Sequence, residues 1–250
     1  ITHDWQDYIF RNGLTMDHQA TISGGTESTK YLAAVSSMGQ EGVVYNSKLS
    51  RTIISANIDQ TFNKWLTTGI GTQFSQREDG GITPNIEHAI KQSPYGKYKD
   101  ENGNYVPEPM EYNLIANPMR NVHAVQDRTN RNFFLSAYAN VLLPVKGLSF
   151  RSNYGYNYRS SFTGTYYGKN TFEGKTVGGR GSVNNGHYND YTWENILKYE
   201  REIGKHRFDA TGLFSMQESK TFSSSLSGTN FVTDDNEYNM MEGAGNVSTP

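Results

Sequence analysis

The 250-residue chain contains no cysteine, which excludes disulfide scaffolds, thiolate metal sites and cysteine nucleophiles. It has no long apolar run. With 35% hydrophobic residues and a mean hydropathy of −0.71, no segment approaches the roughly 18 consecutive apolar residues of a membrane-spanning helix. That rules out a helical membrane protein and leaves open a β-barrel, whose strands need an apolar residue only at alternate positions. A basic excess is missing too. The formal charge is −2, with none of the basic stripes that accompany nucleic-acid binding. Leu, Ala and Glu are sparse, whereas Tyr (17), Phe (12) and Gly (25) are abundant, a balance that favours extended structure with frequent turns.

Recognisable site chemistry is also scarce. Asp100-Glu101-Asn102-Gly103-Asn104 and Asp234-Asp235-Asn236 look like pieces of calcium loops but lack the terminal bidentate Glu at the required spacing, so they read as solvated turns. The six histidines form no HxH or HExxH pattern. Gly178-Gly179-Arg180-Gly181 lacks the Lys-Ser/Thr of a phosphate loop, and GxSxG is absent. No catalytic constellation, metal site or cofactor is assigned, and the chain is read as a non-enzyme.

What is present is a repeated plan. From Leu14 to Gln76 the chain reads as two up-and-down hairpins, and the pattern recurs further on. Alternation predicts eight strands, near 15–23, 30–38, 48–61, 65–77, 131–143, 148–160, 187–200 and 206–220. Most exceed the five or six residues usual in globular proteins. One parity carries Ile54, Ile58, Ile70, Phe74, Phe133, Leu135, Phe150, Tyr154, Phe208 and Phe214. The other carries Asn57, Asp59, Arg151, Asn153, Lys198 and Asp209. A soluble sandwich and a membrane barrel would both keep charge off the first set.

The connections discriminate better. Short ones at 24–29, 62–64, 144–147 and 201–205 alternate with long ones at 39–47, 78–130, 161–186 and from 221 onward. In a meander this puts every short turn at one end, as in outer-membrane barrels. The fold class expected is therefore all-β, an antiparallel up-and-down transmembrane barrel segment, with the first set lipid-facing and the second lumen-facing. Phe62 and Trp65 on one side, and Tyr156 and Tyr158 on the other, would suit the interfacial girdles. Residues 1–13 are expected to be a connector in which Asp4 caps a short helix. Asp100–Asn104 is expected to close a small hairpin between Tyr98 and Tyr105. The long loops offer Tyr95, Tyr98, Tyr105, Tyr112, Tyr166 and Tyr167 as substrate-binding candidates, through ring stacking and hydroxyl hydrogen bonds. The chain opens ITHDWQDY, without an initiator Met or a signal sequence, and is expected to be an internal piece of a longer protein.

DWQDYIFRNG (Asp4 to Gly13), HQATISGGTESTKY (His18 to Tyr31), QEGVV (Gln40 to Val44) and SRTIISANIDQTFNKWLTTG (Ser50 to Gly69) closely resemble the barrel of the SusC/RagA family. These are TonB-dependent transporters of the outer membrane of Bacteroidetes. DENGNY (Asp100 to Tyr105), PVKGLSFRSNYGYNY (Pro144 to Tyr158) and EIGKHRFDATGLF (Glu202 to Phe214) are similar to later hairpins of that family. The resemblance covers nearly the whole chain and is densest in its first seventy residues. It implies a 22-stranded barrel enclosing a plug, of which this chain supplies about eight strands and no plug. It further implies a SusD-like surface lipoprotein as a lid, an oligosaccharide or peptide substrate, contact with outer-membrane lipid, and energy from the TonB complex through regions outside this chain. The alternative reading is a soluble or surface-anchored β-rich glycan-binding module.

Overall fold

The computed structural model describes residues 2–110 and 115–248. They form one nine-stranded antiparallel sheet in which the strands lie in strict chain order. The strands are β1 (Leu14–Gly25), β2 (Thr29–Glu41), β3 (Lys48–Asn63), β4 (Leu66–Gly80), β5 (Val125–Leu142), β6 (Leu148–Tyr167), β7 (Arg180–Ile203), β8 (His206–Phe231) and β9 (Ala244–Ser248). Three short helices stand among them: α1 (Trp5–Ile9), α2 (Ile86–Lys91) and α3 (Phe172–Lys175). The sheet does not close on itself. β9 pairs only with Ser227–Phe231 of β8, so β1 and most of β8 are free edges among the described residues, and the chain is an open arc.

The turns β1–β2, β3–β4, β5–β6 and β7–β8 all lie at one end of the arc, and the connections at 42–47, 81–124, 168–179 and 232–243 lie at the other. Local chemistry fixes the short end. Asn63 accepts hydrogen bonds on its side chain from the backbone N–H groups of Trp65 and Leu66, closing the β3–β4 turn. Gly147 ends the β5–β6 turn at φ +87, a left-handed conformation in which a Cβ would meet the carbonyl oxygen of Glu200.

The eight expected strands are present, and several run further than their periodicity suggested. The 161–186 connection shrinks to 168–179, because 161–167 and 180–186 are strand. Likewise 221–231 extends β8 and 125–130 opens β5. The added stretches, such as 161–164 and 180–186, carry one large apolar side chain each, Phe162 and Val183, too few to mark an alternation. A bilayer requires apolar alternation only over about 9–11 residues per strand. Beyond that band the ladder of backbone hydrogen bonds orders the strand without any apolar signature. The five-residue strand β9 likewise has no apolar alternation and is ordered by its pairing with β8.

Register decides which side chains share a face. Val35, Ile54, Phe74, Phe133 and Tyr158 are successive partners across β2 to β6. Tyr31, Ile58, Ile70, Ala137, Tyr154, Trp193 and Met216 form a second such row across β2 to β8. All ten residues of the apolar set therefore lie on one face, and all six of the polar set on the other. Among the described residues the membrane-width band of that face is uncovered: Ile54 is 52% and Phe214 59% exposed. Most of the buried hydrophobic residues, Trp5 and Met241 among them, sit instead in two clusters at the long-loop end.

Replacing Gly147 with Ala should cost about 1–3 kcal/mol, because a non-glycine residue is strained at that φ and its Cβ strikes backbone. Urea unfolding of the folded full-length protein, compared with an Ala substitution at the unstrained Gly212, checks this.

Candidate functional site

The long-loop end is built on aromatic packing. Asp4 caps α1 by accepting from the Gln6 backbone N–H, and the helix buries Trp5 and Ile9. The Trp5 indole donates to the Ser93 carbonyl at 2.7 Å, tying α1 to the 81–124 connection. Tyr8 stacks on Tyr98 with centroids 4.0 Å apart and planes 14° from parallel. Tyr98 meets Tyr105 edge-on at 5.4 Å, and Lys99 Nζ lies 4.8 Å from the Tyr105 centroid. Asn117, fully buried, pins this arrangement by donating to the Tyr98 carbonyl and accepting from the Met119 N–H. The small hairpin expected here exists, with Lys99 bridged to Tyr105. The Asp100 carboxylate accepts from the backbone N–H groups of Asn102 and Asn104, and the Asn104 bond above all holds its pKa below the usual value. That carboxylate is occupied in closing a turn.

A second cluster, Tyr166, Phe231, Tyr238 and Met241, lies at the same end over β5 to β8. Its strand residues Val125, Phe162, Tyr166, Val183 and Leu226 share the parity of the apolar band. The 232–243 segment folds over them. Tyr238 donates to Asp127, and Tyr166 donates to Asp234 Oδ1 at 2.7 Å while the Lys169 N–H reaches Asp234 Oδ2. Both oxygens of Asp234 are thus engaged.

These facts sort the six candidate tyrosines. Tyr98 and Tyr105 are brought together, but as packed members of the first cluster. Tyr166 requires a correction: it is 2% exposed and sits on the apolar-band side of β6, so it offers no ring to a solute and serves to hold the 232–243 segment. Tyr167, its neighbour, points to the polar face and is half-buried. Tyr95 is 73% exposed and free to make contacts. Tyr112 lies outside the described residues.

The polar face holds the denser chemistry. Tyr138 donates to Asp59 at 2.8 Å, and the Arg151 guanidinium lies 4.3 Å from the Tyr138 centroid while donating to Asn153. Three of the six polar-face candidates thus form one network. Lys198 pairs with Glu200 at 2.6 Å, and Glu200 is the register partner of Asp209 near the short-turn end. Nearer the long loops lies a concavity of about 500 Å³ lined by Arg51, Arg77, Asn130, Asn132, Arg159 and Tyr188. Sequence reasoning missed it. Those residues have the parity of Asn57 and Arg151, yet only the register brings β3, β4, β5, β6 and β7 into line there.

On the apolar face, hydroxyls mark the upper margin of the band. Tyr156 donates to Asn189, Tyr158 contacts His187 and Tyr191 donates to Glu218. At the short-turn end Phe62 and Trp65 are exposed. Rings with an apolar body and a hydrogen-bonded tip suit a membrane–water interface.

No protein-family model matches the chain. It is 25% identical over 266 residues to TonB-dependent receptor P3 of Formosa agariphila, an alignment covering 99% of this chain and 26% of that protein. It is 24% identical to TonB-dependent receptor SusC of Bacteroides thetaiotaomicron, over 82% of this chain and 23% of that one. The chain thus spans about a quarter of the length of these curated relatives. Among solved structures, the RagAB peptide transporter superposes over the whole chain and 30% of its own, with a TM-score of 0.77 at 16% identity, and so shares the fold.

Burial first, and then the bond to Asp234, raises the Tyr166 pKa well above its ordinary 10.0. Tyr238 is raised likewise, by burial and by Asp127. Because the folded values exceed the unfolded ones, the stabilisation is complete below the ordinary tyrosine pKa and fades as pH rises through the folded values. Hydrogen exchange across 232–243 should therefore quicken only in strong alkali, and Asp234→Asn should let Tyr166 titrate at lower pH. Tyr166→Phe should loosen the same segment by about 1 kcal/mol, read by the same exchange.

Proposed function

Because its curated homologues are TonB-dependent receptors, SusC among them, we propose that this chain is one arc of the barrel of an outer-membrane nutrient importer. The observation that carries this reading is the apolar band that none of the described residues covers, bounded by tyrosine hydroxyls at one margin and by Phe62 and Trp65 at the other. In water such a face would drive association. Against lipid it is the required surface, because each backbone donor and acceptor is satisfied by the neighbouring strand. The set from Ile54 to Phe214 then faces lipid. The set from Asn57 to Asp209 faces the lumen or the plug. The short turns lie in the periplasm and the long connections at the cell surface.

On this reading the protein makes and breaks no bond. Its work is capture of an oligosaccharide or peptide, closure by a SusD-like surface lipoprotein, and displacement of a plug by force passed through TonB. The plug and the TonB-contacting regions belong to parts of the parent protein outside this chain. RagAB is described as a peptide transporter, so relatives by fold do not fix the cargo as saccharide.

Fractionation of the full-length protein, together with gel mobility before and after boiling, tests the reading. Outer-membrane partition and a heat-dependent mobility shift are expected. A monodisperse, detergent-free protein of unchanged mobility would instead mark a soluble glycan-binding module. A sharper contrast comes from neighbouring positions of opposite parity. Ile58→Arg should destabilise the folded barrel by about 2–4 kcal/mol, whereas Asn57→Arg should change it little. Equal effects from both substitutions would remove the lipid–lumen assignment.

A further inference from the structure

We propose that the concavity formed by Arg51, Arg77 and Arg159 on the polar face is a binding site for an acidic oligosaccharide, whose carboxylate or sulfate groups those arginines hold. This rests on the reading of the polar face as the lumen of an importer.

Charge provides the first argument. Arg51 and Arg77 are direct register partners on β3 and β4, an arrangement that places like charges opposite each other and is unfavourable unless an anion intervenes. Arg77 is paired with Asp79 at 2.8 Å. Among the described residues neither Arg51 nor Arg159 lies within ion-pair distance of a carboxylate, and Arg51 donates a side-chain hydrogen bond to Met38 Sδ at 3.9 Å. Asp190, two residues from Tyr188 toward the turns, is hydrogen-bonded by Gln217 and Ser219 and is the carboxylate whose charge Arg159 feels, beyond ion-pair distance. The Arg159 guanidinium lies 4.2 Å from the Tyr188 centroid, which fixes its plane while leaving its N–H edges available. Two unpaired guanidiniums and one paired one, on adjacent rungs, match a ligand with spaced anionic groups.

Position provides the second. Arg51 precedes Ile54 on β3, which descends from the long loops, while Arg77 follows Phe74 and Arg159 follows Tyr158 on strands that ascend toward them. All three therefore stand at or just above the loop-side margin of the apolar band. A solute entering from the long-loop end meets this level first, which favours a ligand over a plug deep in the barrel as the occupant.

The remaining lining favours saccharide over peptide. Asn130, Asn132 and Ser161 present amides and a hydroxyl, and the shielded Oδ1 of Asn132 has no hydrogen-bond partner. Sugar hydroxyls both donate to and accept from such groups. A peptide bound through its backbone needs a free sheet edge; β3 to β7, which carry the three arginines and the asparagines, are paired on both sides, and only the 221–223 rim on β8 is an edge of the open arc.

The test uses the purified full-length receptor in detergent, titrated calorimetrically with a heparin-derived tetrasaccharide, maltotetraose and tetraglutamate. The acidic saccharide should bind at least about tenfold more tightly than maltotetraose and weaken steeply with salt. The Arg51→Gln/Arg159→Gln double variant should lose that preference, each single variant should weaken it, and Arg207→Gln, which removes as much charge as either single variant from the same face near the short turns, should retain it. Three results would overturn the proposal: equal affinity for acidic and neutral sugars, a preference untouched by the double variant, or arginine-dependent binding of tetraglutamate at equal strength. Should the double variant not fold, the three-ligand and salt comparison on the unsubstituted receptor still decides. The heat-dependent mobility shift is recorded on each sample. Its loss in the unsubstituted protein counts against the barrel reading itself, whereas its presence without anion preference counts only against this site.

Discussion

The structure depends on an apolar surface that the described residues do not bury among themselves. In a water-soluble sheet one face packs against a second layer, and the core lies between them. Here the row through Ile58 and Trp193 stays exposed or half-buried along its length, and the two buried clusters among the described residues lie at the long-loop end. The backbone of β2 to β7 is paired on both sides. Side chains that reject water on a backbone that needs none are the two requirements for standing in hydrocarbon. Free edges at β1 and along β8 are incompatible with that setting, so the arc requires neighbouring strands to complete it.

That constraint accounts for where rigidity and chemistry reside. The long-loop end has its own small cores because strands that rise above the apolar band no longer have a partner medium for their side chains. Trp5, Ile9 and the Tyr8–Tyr98 stack bind the entry segment to the 81–124 connection. Tyr166 and Tyr238 bind the 232–243 segment through Asp234 and Asp127. Several tyrosines that composition marks as recognition residues are therefore spent on packing. The charged chemistry is displaced to the opposite face, where Asp59, Tyr138 and Arg151 form one network and Arg51, Arg77 and Arg159 line another concavity.

The alternation of Ile54, Ile58, Ile70 and Phe74 with Asn57 and Asp59, and the alternation of short and long connections, are properties of the chain itself. They follow from the two-residue period of a strand and from local turn chemistry at positions such as Asn63 and Gly147. The family resemblance of Asp4 to Gly69 is likewise a property of the sequence. Strand ends outside the apolar band were not legible, because 161–167 and 221–231 carry only widely spaced apolar residues such as Phe162 and Leu226, and are ordered by pairing with their neighbours. The assignment of Tyr166 to the loop core and the convergence of three arginines from three strands were equally hidden. Both depend on register, which is set by hydrogen bonds between residues distant in sequence. Sequence alone determined that this protein is a meander of long amphipathic strands with one end richer in loops. Tertiary structure decided which side chains meet across those strands, because contacts between strands are fixed by the ladder as a whole and by no single segment of it.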